Sequence, residues 1–285
     1  MSEVFDSRAC ELGEGPLWHP ERQQFFWFDI LGKKLLSQVE GQPVEWCFDE
    51  HVSVAGWVDE DTLIMASETG LWRFDIPSGT RDLLVALEAG IPATRSNDGR
   101  ADPQGGFWIG TMGKSAEPKA GAIYRYYRGE VKKLVPDITV SNTICFAPEG
   151  DTAFYSDTHS RQVMRQSLDG AGWPIGKPEV FLDLTTEGRN PDGAVIDVDG
   201  SMWLAEWGMS RVAVYDRNGV FQKAFGVGGR QSSCPAFGGS ELSTLYCTTA
   251  RYGLADEILT VEPENGMTYI VPGAGQGQRE HKVIL

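Results

Sequence analysis

Short apolar runs recur along the chain in pairs. Each pair is split by a polar turn and led by a polar head. The clearest copy is Asn190-Pro191-Asp192-Gly193, then Ala194-Val195-Ile196-Asp197-Val198, an Asp199-Gly200 turn, and Met202-Trp203-Leu204-Ala205. Two β-type runs flanking Asp-Gly predict a hairpin. Five further segments follow the plan, starting near Glu14-Gly15, Ser53-Val54-Ala55, Asn97-Asp98, Asn142-Thr143 and Cys234-Pro235. With Gly15, Ala55, Asp98, Thr143, Gly193 and Pro235 as equivalents, the separations are 40, 43, 45, 50 and 42 residues. That period matches propeller blades of roughly 40–50 residues.

A third strand follows most hairpins, as in Gly70-Leu71-Trp72-Arg73-Phe74-Asp75 and Gly121-Ala122-Ile123-Tyr124-Arg125-Tyr126. Its alternation fits one buried face. A fourth strand is placed at Leu83–Val85, Val131–Leu134 and Val180–Leu182. The expected fold is therefore all-β: a six-bladed β-propeller with four-stranded blades around a central channel, one domain over residues 1–285. A β-sandwich would not explain six similar heads at near-equal spacing. Either the N-terminal stretch Val4-Phe5-Asp6 or the C-terminal His281–Leu285 could complete a blade and remove a strand edge.

Composition narrows the function classes. Among 285 residues there are 25 basic and 40 acidic, a net charge of −15. Such a surface repels nucleic acid and anionic membranes, so neither is expected as a partner. No apolar run approaches the 18 residues of a membrane span. The start, Met1–Asp6, has no basic region followed by an apolar one, so no signal peptide is visible. Five widely spaced cysteines, with no Cys-x-x-Cys, read as buried free thiols of a reducing compartment. The expectation is a cytoplasmic protein, a monomer or weak homo-oligomer.

In a propeller the innermost strands line the channel, so the heads converge. They bring Glu14, Asn97 with Asp98, Asn142 and Asp192; the other two heads present Val54 and Cys234. One Asn or Asp head alone is ordinary turn chemistry. Several at matching repeat positions form a cage of hard oxygen donors that suits Ca²⁺, Mg²⁺ or Mn²⁺ and can hold Fe²⁺ or Zn²⁺. Arg95, beside this cage, could hold the oxygens of a polyol. His19, His51, His159 and His281 show no zinc spacing, and His19 reads as a loop histidine. No Gly-x-Ser-x-Gly elbow occurs. The nine tryptophans read as packing between blades.

Gly13-Glu14-Gly15-Pro16-Leu17-Trp18, Arg95-Ser96-Asn97-Asp98-Gly99 with Gly110-Thr111-Met112, Ser141-Asn142 and Pro191-Asp192-Gly193 together resemble the gluconolactonase / senescence-marker-protein / luciferin-regenerating-enzyme-like family. The pattern is most similar to bacterial sugar-lactone hydrolases of aldose oxidation. The resemblance implies one divalent cation on the propeller axis, with Ca²⁺ first by ligand type. It implies Glu14, Asn142 and Asp192 as its ligands, Arg95 and Asn97 as substrate contacts, and Asp192 as the acid–base residue. Thr143 stands where the family often has Gly. Glu117, in the loop after Met112, is the candidate for an acidic substrate contact.

The implied reaction is metal-dependent hydrolysis of an aldonolactone. Two alternatives remain open on the same cage: a phosphotriesterase or arylesterase, and a non-enzymatic calcium-binding propeller.

Overall fold

The structure, a computed structural model, describes residues 2–285. It is a six-bladed β-propeller. Six sheets of four antiparallel strands each follow one another around the ring. The innermost strands are Gly13–His19, Val52–Asp59, Thr94–Ala101, Ser141–Phe146, Asn190–Ile196 and Gln231–Gly238, of blades one to six. They are buried almost throughout, whereas outer strands such as Gln42–Cys47 and Phe221–Gly226 are largely exposed. This gradient explains the sequence pattern. An inner strand is covered on both faces by neighbouring blades and reads as a continuous run. An outer strand reaches the rim and turns polar.

Each seam between blades holds its own apolar cluster. Phe26, Phe28, Trp57 and Phe74 fill the seam of blades one and two. Trp108, Ile144 and Phe146 fill that of blades three and four. The ring closes on Trp18, Phe25, Trp27 and Tyr246, between blades six and one. Trp27, Trp108 and Trp203 are completely buried, as expected for packing residues.

The N-terminal strand Glu3–Asp6 pairs with Thr268–Val271 and completes blade six, the blade of the last repeat. Closure thus joins the N-terminal strand to the last three strands in one sheet, which leaves the ring no open seam. The C-terminal segment instead crosses the far face. Val283 N–H donates to Trp57 O at 2.9 Å and Ile284 N–H to Gly105 O at 2.8 Å. Gln278 Nε2 donates to Ile196 O at 2.9 Å, and Glu280 pairs with Arg100. The segment therefore lies across blades two, three and five and covers that end of the channel.

Among the described residues, no helix is long and apolar enough to cross a membrane. Cys10, Cys145, Cys234 and Cys247 are buried free thiols, but Cys47 is exposed. His19 is not a loop residue. It ends the blade-one inner strand, fully buried, with Nε2 3.0 Å from Asp59 O.

Candidate functional site

The site is built by one irregularity repeated around the ring. Every inner strand shifts register against its neighbour near its start: between Glu14 and Leu17, Val52 and Val54, Ser96 and Gly99, Asn142 and Cys145, Pro191 and Ala194, and Ser232 and Pro235. A β-bulge re-aims the side chain at that point. The polar heads fall at or beside these bulges, which turns them toward the axis. Gly15 and Thr143 both adopt left-handed backbone there, at φ +53° and +61°. A Cβ at Gly15 would sit 2.1 Å from Ser53 O, so only glycine fits. Thr143 is a β-branched residue in a conformation that such residues avoid. Its Oγ1 donates to Asp192 O at 2.6 Å and lies 2.8 Å from Ser156 Oγ. The departure noted at this position thus ties blade four to the head of blade five.

A cavity of about 200 Å³, open to solvent, occupies this end of the channel. Glu14, Asn142 and Asp192 meet there with Arg95 and Asn97, and all five are buried. A directional chain of hydrogen bonds fixes them. Arg95 Nη1 donates to Asn97 Oδ1 at 2.7 Å, Asn97 Nδ2 to Asn142 Oδ1 at 3.0 Å, Asn142 Nδ2 to Thr158 Oγ1 at 2.8 Å, and Thr158 Oγ1 to Pro191 O at 2.7 Å. The chain sets both amide orientations and leaves each carboxamide oxygen on the acceptor side.

Burial and like charge dominate the electrostatics of the site. Burial, followed by the charge of Asp98, pushes Glu14 up to about 8. Burial, followed by the charges of Glu14 and Asp98, holds Asp192 well above the usual carboxylate value. Each carboxyl group thus raises or is raised by the charge around it on the cavity floor. Arg95 is lowered to about 10 by burial, against the pull of Glu14. Two carboxylates brought together without water hold protons unless positive charge joins them. Two carboxylate groups and a carboxamide oxygen form a hard donor set that fits Ca²⁺, Mg²⁺ or Mn²⁺. Among the described residues, no three His, Cys, Asp or Glu side chains gather as a metal-binding group. The Asn142 carboxamide oxygen lines the cavity beside the two carboxyl groups.

Two other residues singled out from the sequence stand elsewhere. Asp98 Oδ2 accepts from Ile144 N–H at 2.7 Å, so this carboxylate braces blade four instead of lining the cavity. Glu117 is also absent from the lining. Its loop folds back, and Oε2 accepts from Ser115 N–H at 3.0 Å. Lys114 and Ala116 of that loop face the cavity in its place. Sequence reasoning also missed Thr158, Trp207 and Tyr252. Trp207 ends its strand, and Thr158 and Tyr252 lie just beyond theirs, outside the repeated heads, where no periodicity marks them. The rim they share with Leu31, Met112 and Val140 is largely apolar.

Residues 12–251 match the family described as the SMP-30/Gluconolactonase/LRE-like region. A Rhizobium meliloti protein that carries a provisional sugar lactone lactonase name is 40% identical over 264 residues, covering 92% of this chain and 90% of that protein. L-arabinolactonase of Azospirillum brasilense is 32% identical over 266 residues, covering 91% and 87%. Among solved structures, a calcium-binding protein, regucalcin, of Agrobacterium tumefaciens superposes with a TM-score of 0.98 at 37% identity, over 100% of this chain and 98% of that one.

Proposed function

The chain belongs to the SMP-30/gluconolactonase/LRE-like family, and from that premise we propose that it is a metal-dependent hydrolase of sugar lactones, acting on the product of aldose oxidation. The observation that carries the reading is the floor of the cavity. Two buried carboxylates and an oriented carboxamide oxygen meet there, beside a buried guanidinium.

In this reading Glu14, Asn142 and Asp192 would hold one divalent cation, with Ca²⁺ the first choice by ligand type. Such an ion supplies Lewis-acid polarisation of the lactone carbonyl and keeps the carboxylates ionised. Arg95 and Asn97 hold the sugar oxygens and fix the carbonyl over the floor. Asp192 takes a proton from the attacking water as the C–O bond forms. It returns that proton to the ring oxygen as the ring C–O bond breaks, leaving the open-chain acid. Burial keeps bulk water off the Asp192 carboxyl, so the proton stays within the site.

The apolar rim of Leu31, Met112, Val140, Trp207 and Tyr252 favours a second reading, hydrolysis of aryl esters or phosphotriesters on the same floor. One experiment separates the two. The metal-stripped protein is assayed on glucono-, galactono-, xylono- and arabinonolactones, an aryl acetate and a phosphotriester, with single divalent ions added back. Lactone hydrolysis restored by the ion supports the first reading. Ester or phosphotriester cleavage without lactone hydrolysis replaces it with the second. Full metal binding with no turnover of any substrate returns the protein to a calcium-binding role.

Thr158 offers a finer check. Its hydroxyl accepts from the Asn142 amide and donates to Pro191 O. Thr158→Val removes the acceptor while keeping the shape, so only the bond from Asn97 Nδ2 still orients the Asn142 amide. Outer partners of this kind are typically worth about 10- to 100-fold in metal affinity. Thr158→Val is expected to weaken cation binding by about tenfold in a calorimetric titration, and Thr158→Ser to retain it. Equal affinity in both variants would remove Thr158 from the site.

A further inference from the structure

The loop that turns Glu117 away brings a cation to the cavity instead. Arg95 lies opposite Met112 in the blade-three hairpin, and Thr94 opposite Gly113. The ladder continues one residue further, where Lys114 N–H donates to Ala93 O at 2.8 Å. Opposed residues of an antiparallel pair share a face, and alternate residues along a strand return to it. Arg95, Met112 and Lys114 therefore project from one face of one hairpin, and all three line the cavity. Arg95 and Lys114 are diagonal neighbours, which places their Cβ atoms at most about 7–8 Å apart.

Both groups are donors with no acceptor capacity, and both have unused donors. Arg95 Nη1 serves Ser96 O and Asn97 Oδ1, but its Nε is buried without a partner. Lys114 Nζ is held 2.5 Å from Glu68 Oε2, and His51 Nδ1 lies 2.8 Å from the same oxygen. Glu68 is largely covered, with 17% of its side chain exposed. Burial would raise its pKa, yet His51 and Lys114 together bring it below the usual carboxylate value. A fixed carboxylate thus anchors the ammonium at the rim and engages one of its three N–H bonds. The deeper guanidinium and the outer ammonium make a wall that only donates. A hydroxyl facing it uses only its lone pairs, whereas an anionic group uses its lone pairs and its charge. The overall charge of −15 repels anions, and this wall is a local exception to it.

Resting on the lactonase reading, we propose that Arg95 and Lys114 select lactones that carry an anionic oxygen group, a carboxylate or a phosphate, at the end remote from the ring carbonyl. Lys114 is the specificity-determining member, because it stands at the rim where that end would project.

The test compares D-glucono-1,5-lactone with freshly made D-glucaro-1,5-lactone, which differs by a carboxylate in place of the terminal hydroxymethyl group. The 6-phospho derivative of gluconolactone forms the second arm. Charge-assisted hydrogen bonds support a preference of about tenfold or more in kcat/KM for an anionic substrate. The arm showing it identifies carboxylate or phosphate. Lys114→Gln is expected to reduce the anionic-to-neutral ratio by about tenfold, and Lys114→Arg to restore most of it. A wild-type ratio at or below one in both arms, or a ratio unchanged by Lys114→Gln, overturns the proposal. Calorimetric binding of D-glucarate against D-gluconate separates this failure from that of the lactonase reading. If no lactone is hydrolysed, yet wild type favours glucarate and Lys114→Gln does not, the wall stands and the reaction falls. Equal binding of the two acids by the wild type removes the wall.

Discussion

Asp192→Asn is expected to lower kcat/KM on the best sugar lactone by about 10³-fold, within the 10²–10⁴ range of a positioned acid–base group. The substitution is nearly isosteric. It spares the fold, because the bond from Thr143 Oγ1 goes to the backbone oxygen of residue 192, not to its side chain. The amide keeps one oxygen donor but cannot take a proton from water. A calorimetric titration separates the two roles assigned to Asp192. A weakened but measurable cation affinity with abolished turnover supports acid–base work. A cation affinity lost in full, with turnover rescued by excess ion, makes Asp192 a ligand only. Asp98→Asn provides the contrast. That carboxylate is as buried as Asp192 but spends Oδ2 on Ile144 N–H, so its loss is expected to reduce stability more than turnover. If Asp192→Asn hydrolyses lactone at the wild-type rate, the proposed mechanism fails.

The difference between Asp98 and Asp192 marks how far the sequence reaches. The six heads, their spacing and the strands that follow them are legible because one physical need, a strand covered on both faces, repeats six times. The convergence of Glu14, Asn97, Asn142 and Asp192 follows from that repeat. Which carboxylate faces the cavity does not. Asp98 and Asn97 are adjacent, and the bulge between Ser96 and Gly99 decides that Asn97 looks inward. Glu117 fails for a related reason. Its place in the loop after Met112 makes it the candidate, but the backbone N–H of Ser115 draws its carboxylate back into its own loop. Lys114 carries no motif at all. Its importance comes from the strand register that aligns it with Arg95 and from Glu68, which lies 46 residues earlier in the chain. Closure was equally unreadable, since both termini offered plausible strands, and only pairing with Thr268–Val271 distinguishes Glu3–Asp6.

The cation's effect on stability is expected to grow with pH. In the metal-free protein Glu14 titrates near 8 against an ordinary value of 4.5, and Asp192 lies well above its ordinary 3.8. Both folded-state values are raised. Between the ordinary and the raised value the folded chain keeps protons that the unfolded chain releases. The contribution of these carboxyls is therefore full below about pH 4 and declines as pH rises, for Glu14 through about 8. Each such group costs about 1.4 kcal/mol of stability per pH unit over its window. A bound divalent cation stabilises both ionised carboxylates and abolishes the decline, and its uptake releases their protons. Other groups act in the same range. His19 and His281 are lowered, mainly by burial, so stability gained from them is lost as pH falls through their folded values. They are present with and without the ion, so the difference between the two forms isolates the site. Thermal unfolding with a chelator and with saturating Ca²⁺ or Mn²⁺ at pH 5, 6, 7 and 8 reads that difference directly. The ion-induced rise in Tm is expected to be small at pH 5 and several degrees larger at pH 8. A rise that stays constant across this range, or shrinks toward pH 8, would mean that the ion binds away from Glu14 and Asp192.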